Sequence, residues 1–468
     1  MKKLLVTSLA LLTAMLVSVT AFAGTAYDAS YTTSITYQNV GTETATIQFS
    51  FYNEANGTSI DYSVDALPAG AGSSLFVGSV GTIASGFSGS AVMSSNVPVV
   101  ATMVQISSDG DVKNRPLSNG FSAGSTKVLL ATVLKNTFST SSRFSIQNAD
   151  SGAVDLVVSI YNSAAPTAAP TVVNVAGLPE GSAKYFDMGT LAEITAASFN
   201  GSAVVEAFQA GTTTPANIVG SVLEMSTNGP KVSAFQGIPV GGTEVFMPSA
   251  ACKYFGLDSF YAVQNTGTAT TSVTVTYSNG QTDVKSIDAG AKASFATCNQ
   301  QSDNFNGSAT ITSAEPIIVI GKISNATVST AFEGATTGGT KLACPYVRWS
   351  ASQYSTGQRQ RAFIAIQNVG SALAAGDVTA TYIDKTGTAV GTHTMDALAT
   401  GAKQSTRATA ATGSAANLDE FGYIGGFGGG LIIEGPAGSE LVGVVRVQSI
   451  GADGQGVGED YNCIPVSN

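Results

Sequence analysis

Few side chains in this chain could do chemistry, and their spacing does not bring them together. A Ser-His-Asp or Cys-His arrangement needs a histidine base. The 468 residues hold one, His393, in the polar segment Gly391-Thr392-His393-Thr394, where it reads as a solvated strand residue. Cysteines at 252, 298, 344 and 463 with a single histidine give no zinc-ligand spacing. Asp109-Gly110-Asp111 and Asp453-Gly454-Gln455-Gly456 offer oxygens for calcium, but both lack the length and terminal Glu of a calcium loop, so they read as turns. The run Gly425-Gly426-Phe427-Gly428-Gly429-Gly430 lacks the Lys-Ser/Thr of a phosphate loop and opens into a strand, Leu431 to Glu434. Asp419 and Glu420 are adjacent and would face opposite sides of a strand, which is wrong for a glycosidase pair. No catalytic, cofactor or metal set is expected, and the chain reads as non-enzymatic. Four glycosylation sequons, at Asn56, Asn200, Asn306 and Asn325, read as accidents of a Ser/Thr/Asn-rich chain.

The residues that recur belong to structure. Ser34-Ile35-Thr36-Tyr37-Gln38-Asn39-Val40-Gly41 returns as Phe144-Ser145-Ile146-Gln147-Asn148, Tyr261-Ala262-Val263-Gln264-Asn265-Thr266-Gly267 and Phe363-Ile364-Ala365-Ile366-Gln367-Asn368-Val369-Gly370. An alternating run ending in Asn and a small residue predicts the first half of a β-hairpin. A second run ends in Tyr52, Tyr161, Tyr277 or Tyr382, 14, 14, 13 and 15 residues after the Gln. Each unit continues with a turn, Leu67-Pro68-Ala69-Gly70, Leu178-Pro179-Glu180-Gly181, Ile287-Asp288-Ala289-Gly290 or Leu398-Ala399-Thr400-Gly401. It then runs through Phe87-Ser88-Gly89-Ser90-Ala91, Phe199-Asn200-Gly201-Ser202-Ala203 or Phe305-Asn306-Gly307-Ser308-Ala309, with Phe427-Gly428-Gly429-Gly430 as the decayed fourth copy.

Spacings of 109, 117 and 103 residues between successive Gln residues give four units. Each has six or seven strands, enough for two packed antiparallel sheets of immunoglobulin-like outline. The expected fold is all-β, with four tandem sandwiches over 24–118, 119–229, 230–330 and 331–468 after a leader at 1–23. A linking phrase precedes units two to four, at Gly120 to Val128, Ala234 to Val245 and Ala331 to Leu342, with a faint copy at Gly456 to Pro465. Unit one has none. The tail could thus complete unit one of another molecule, giving a head-to-tail filament. If each linking strand packs with the unit after it, Cys252 pairs with Cys298 and Cys344 with Cys463. If it closes the unit before, Cys298 pairs with Cys344. Parity favours the first scheme.

Hydrophobic residues make up 44% and charged ones only 11%, so Ser, Thr and Gly must solubilise the surface. The formal charge of −10 becomes −12 without Lys2 and Lys3, 19 basic residues facing 31 acidic, which disfavours nucleic acid and anionic lipid. Lys2, Lys3, the apolar run Leu4 to Val17 and Ala21-Phe22-Ala23 have the layout of a cleaved secretory leader. A mature chain outside the cytoplasm without a membrane-spanning segment, its even cysteine count used in disulfides, is expected.

The combination of linking strand, Ile-Gln-Asn-x-Gly phrase, Gly turn and Phe-Ser-Gly-Ser-Ala strand resembles the tandem β-sandwich modules of secreted bacterial cell-surface proteins. The resemblance implies surface exposure and repetition and carries over no catalytic residue. It points to a rod of sandwiches that serves as surface architecture, its partner itself or other surface components. An extracellular adhesin or glycan- or protein-binding module is the alternative, with the longer loops of unit four between Gln367 and Phe427 as its binding candidate, and a secreted hydrolase is the third reading.

Overall fold

Every unit is built from two sheets, and the Gln-Asn phrase is where the chain leaves one for the other. The structure is a computed structural model that describes residues 24–350, 359–413, 429–450 and 456–466. In unit one β1 (Tyr31–Asn39), β2 (Ala45–Asn53), β3 (Ser59–Leu67), β4 (Gly72–Phe76), β5 (Gly89–Ser95), β6 (Val99–Ser107) and β7 (Leu117–Asn119) form two antiparallel sheets. The inner sheet has the order β4-β1-β6-β7 and the outer β3-β2-β5.

Unit two comprises β8 (Lys127–Lys135), β9 (Thr140–Asn148), β10 (Val154–Asn162), β11 (Thr171–Leu178), β12 (Ala183–Asp187), β13 (Phe199–Gln209), β14 (Ile218–Ser226) and β15 (Val232–Gln236). Its sheets are β12-β9-β14-β15 and β11-β10-β13-β8. Unit three repeats this with β16 (Gly242–Cys252), β17 (Asp258–Asn265), β18 (Thr271–Tyr277), β19 (Thr282–Ile287), β20 (Lys292–Ala296), β21 (Phe305–Ser324) and β22 (Ser329–Glu333). Here β21 serves both sheets: its first half pairs with β16 and β18, its second with β17 and β22. Pro316, which cannot donate to a ladder, sits where the strand crosses between them. Unit four has β23 (Lys341–Val347), β24 (Trp349–Ser350), β25 (Arg359–Asn368), β26 (Thr379–Ile383), β27 (Ala389–Thr394), β28 (Lys403–Thr406), β29 (Gly429–Glu434), β30 (Leu441–Ile450), β31 (Gly456–Asn462) and β32 (Ile464–Pro465).

Alternation builds the cores. Val154, Leu156, Val158 and Ile160 of β10 and Ala45, Ile47, Phe49 and Phe51 of β2 are all at most 2% exposed, and each unit centres one apolar cluster, three of which extend into a neighbouring unit. The all-β expectation of four tandem sandwiches holds. The expected hairpin does not: β1 pairs with β4 and β6, whereas β2 pairs with β3 and β5, so the phrase is an arch between sheets. Its Asn is the clasp of that arch. Asn39, Asn148, Asn265 and Asn368 are each at most 1% exposed, and their Nδ2 groups donate to Leu67, Leu178, Ile287 and Leu398 carbonyls at 3.0 Å. The arch loop is thereby tied to the turn that ends the outer sheet. A buried amide has to find its partners, and a hairpin turn would not have required burial.

The linking phrase also divides differently. Its first part is the last inner strand of the unit before it (β15, β22) and its second part is the first outer strand of the unit after it (β8, β16, β23). The unit limits therefore fall between 236 and 242 and between 333 and 341, a few residues beyond the limits at 229 and 330 read from sequence.

The expected rod is replaced by a closed ring. β7, β15, β22 and β31 pack side by side around one axis, β31 against β7 completing the circle. Unit four meets unit one through the Arg115–Glu459 ion pair, Asn119 Nδ2 donating to the Asn462 carbonyl at 2.7 Å, and an apolar seam of Val100, Ala343 and Ile432. The tail is at home as well: β31 pairs with β30 and β32 with β23. It is therefore not available to complete another molecule, which corrects the filament built on tail exchange.

Candidate functional site

The residues singled out by chemical type stay apart. His393 in β27 has its Nδ1 2.9 Å from Thr406 Oγ1, which also lies 2.9 Å from the Tyr382 hydroxyl. Burial holds the imidazole below its usual pKa of 6.5, and the chain of three polar groups is packed into unit four. Asp109 Oδ1 accepts from the Asp111 N–H at 2.9 Å, a closed turn. Asn56 Oδ1 likewise accepts from the Thr58 N–H at 3.0 Å. The cysteines form Cys252–Cys298 across unit three and Cys344–Cys463, which fastens the end of the chain to β23. Asp258 lies beside the first pair, but both sulfurs are bonded to each other and no thiolate is left for a metal. Asp419, Glu420, residues 425–428 and residues 453–455 lie outside the described residues, as does the end of the stretch between Gln367 and Phe427, from 414 on.

Polar side chains do converge where the four units meet. The last residues of β7, β15 and β22, with that of β31, form a circuit at the axis. Gln236 N–H donates to Glu333 Oε1 at 2.5 Å and Gln236 Nε2 to the Asn119 carbonyl at 3.0 Å. Asn119 Nδ2 reaches the Asn462 carbonyl at 2.7 Å. Asn462 in turn donates to the Glu333 carbonyl at 2.7 Å and accepts from the Glu333 N–H at 2.9 Å. One residue from each unit thus closes a ring of hydrogen bonds. These groups share a cavity of about 230 Å³ with Leu342, Val442 and Pro465.

Burial pushes the Glu333 carboxyl up to about 7 from its usual 4.5, although the Gln236 N–H pulls the other way. Deeper along the axis the charges are paired. Glu459, fully buried, meets Arg115 at 2.5 Å, and Asp460 is held by Arg446 at 2.8 Å, whose guanidinium also reaches Ser249 of unit three. Burial raises the Asp460 carboxyl above 3.8 despite Arg446. Lys322 and Glu224 tie unit three to unit two at 2.5 Å.

The outer seams repeat one bond. Ser90, Ser202 and Ser308 of the Gly-Ser-Ala phrase donate to the carbonyls of Gly181, Gly290 and Gly401, each in the turn of the following unit, at 2.6, 3.1 and 2.8 Å. The fourth position is Gly430, whose Cα faces the Gln38 side chain of unit one so closely that a Cβ would fall 2.6 Å from Oε1. Two lysines strengthen these seams: Lys292 Nζ donates to Thr132 Oγ1 at 2.7 Å and Lys403 Nζ to Asn306 Oδ1 at 2.5 Å. Burial drives both amines down to about 7, with Lys322 and Arg446 respectively adding repulsion. Sequence reading missed the axis, since Asn119, Gln236, Glu333 and Asn462 are unremarkable strand ends. Asn119, Gln236 and Glu333 are each followed by a glycine, which was the available signal.

No family model matches the sequence, and no curated protein does. Among solved structures, the chain is similar to the crystal structure of a tetra-tandem repeat in the extending region of a large adhesion protein. They are 12% identical, with 92% of this chain and 93% of that chain covered at a TM-score of 0.11. At that score the two chains do not superpose as wholes, and the likeness carries no weight for arrangement or function. No described helix is long and apolar enough to cross a membrane.

Proposed function

We propose that the chain is a secreted, non-enzymatic scaffold of the bacterial surface, a rigid four-unit ring that holds its place by shape and by contacts with other surface components. The observation that supports this reading is the repeated seam. Ser90, Ser202 and Ser308 each bind the next unit's glycine carbonyl, and the axial circuit ties all four units together. Polar groups that an enzyme would aim at a substrate are spent here on one another. The two disulfides and the leader-like first 23 residues fit an oxidising compartment outside the cytoplasm.

The test is cell fractionation with surface biotinylation, joined to solution scattering of the mature chain. A chain of this length folded as one ring has a radius of gyration of roughly 22–25 Å. Four sandwiches in line, each about 30–35 Å long from nine-residue strands, give roughly 35–40 Å. Cytoplasmic retention would end the surface reading, and the larger radius would end the ring.

A second reading, an adhesin that binds a small ligand, is favoured by the 230 Å³ axial cavity with its Glu333 carboxyl. Cationic or polyhydroxyl ligands suit its mixture of carboxyl and amide groups. Glycan-array binding that disappears in Glu333→Ala would establish it, and an empty array would remove it.

A further inference from the structure

Among the described residues, unit one shows no counterpart of a strand that the other three units possess. In units two, three and four the Gly-Ser-Ala strand has two neighbours in the outer sheet: β13 lies between β10 and β8, the first half of β21 between β18 and β16, and β29 between β26 and β23. Among the described residues its counterpart β5 pairs with β2 alone. The core registers the gap. Ala203, Val205, Ala309, Ile311, Leu431 and Ile433 are at most 1% exposed, while Ala91 and Met93 at the same positions are only partly buried and Val92 between them is 38% exposed.

Two carbonyls of β5 accept from side chains of unit two. Gln147 Nε2 reaches the Ala91 carbonyl at 3.4 Å, a long bond, and the Tyr185 hydroxyl donates to the Gly89 carbonyl at 2.5 Å. One seam further on, where β8 is present, the counterpart Gln264 is buried with neither amide atom bonded. Gln147 Nε2 makes its shorter bond, 3.0 Å, to the Gly181 carbonyl of its own turn, so the Ala91 carbonyl is only weakly held.

We propose that the edge of β5 without a strand partner is a strand-acceptor site for an extended segment of another surface protein, which would displace the Gln147 and Tyr185 side chains. The three internal strands define its chemistry. Opposite Ala203 and Val205 stand Leu130 and Val128, opposite Ala309 and Ile311 stand Met247 and Val245, and opposite Leu431 and Ile433 stand Cys344 and Leu342. The occupant is therefore about seven residues long, antiparallel to β5, with aliphatic side chains two apart that complete the unit-one core. Main-chain bonds supply affinity and the alternate side chains supply choice. β5 itself, Gly-Ser-Ala-Val-Met-Ser-Ser, has neither charge nor proline to repel a strand. Among the described residues a second copy of this chain offers no donor, because β8, β16, β23 and the tail strands β31 and β32 are all paired within their own molecule. The assignment rests on the scaffold reading only for where the donor comes from.

The experiment uses the mature chain and, as probe, a synthetic peptide with the sequence of residues 126–135. Binding is measured by calorimetry, and hydrogen exchange is followed at residues 89–95. Saturable binding that slows exchange in β5, and that weakens at least tenfold when the peptide carries Val128→Asp and Leu130→Asp, is the expected result. A Met93→Cys protein should form a disulfide with a Val128→Cys peptide in preference to a Leu129→Cys peptide, which fixes the register. Absence of saturable binding to the wild-type chain, or binding that leaves β5 exchange unchanged, overturns the site. A chain that self-associates without peptide and already protects β5 overturns the assignment to a different protein. Because none of these readouts depends on export, failure of the surface reading in fractionation remains distinguishable from failure here.

Discussion

Replacing Glu333 with Gln should stabilise the ring in alkaline solution and leave it unchanged in acid. The carboxyl has its ordinary value of 4.5 in the unfolded chain and about 7 at the axis. Between those values the folded state holds a proton that the unfolded state has released, so stability falls as pH rises through the window and levels off above it. At ~1.36 kcal/mol per pH unit the gap is worth about 3 kcal/mol, and about 2 kcal/mol once water reaching the cavity screens the charge. Glutamine keeps the oxygen that accepts from Gln236 N–H and cannot ionise. Urea unfolding of wild type and Glu333→Gln at intervals from pH 4 to 9 should give curves that coincide near pH 4 and part by about 2 kcal/mol at pH 8. Lys292 and Lys403, lowered to about 7, act with opposite sign, since their folded forms lose protons first and stability recovers as pH rises toward 10.5. They are common to both proteins and cancel in the difference. A constant offset across the range, or a variant less stable at pH 8, would refute the claim that Glu333 is buried against its charge.

Gly387→Ala should open the seam between units four and one, because a Cβ there falls 2.3 Å from the Ala69 carbonyl at a φ of +91°. Backbone cannot give way as a side chain can, so a loss of about 2 kcal/mol or more and a larger scattering radius are expected, and an unchanged radius would count against ring closure. Replacing both Cys344 and Cys463 with Ser releases a crosslink across 119 residues and should cost about 3–5 kcal/mol in chemical denaturation, with earlier exchange in β31. Tyr461→Phe leaves the buried Tyr346 N–H and carbonyl without the hydroxyl that serves both, at 2.9 and 2.8 Å. A loss of about 2 kcal/mol in the same assay is expected, and a neutral substitution would show that water replaces the hydroxyl.

Local chemistry repeated four times was enough to read strands, turns and unit number from the sequence. Alternation in Val154-Asp155-Leu156-Val157-Val158 can only make a half-buried strand, and Leu-Pro-x-Gly can only turn. Such signals act over a few residues and survive in any fold. The path between strands is another matter. A Gln-Asn segment before a turn serves a hairpin and an arch equally well, and only the burial of Asn39 and its three counterparts against the glycine turn that ends the outer sheet selects the arch. Ring closure lies further still from the sequence. It depends on the angle each unit makes with the next and on Arg115 meeting Glu459, hundreds of residues apart, with no periodic pattern to announce it. The Glu333 site exists for the same reason: four strand ends become a closed circuit when four separate surfaces converge on one axis, and that convergence belongs to the tertiary structure.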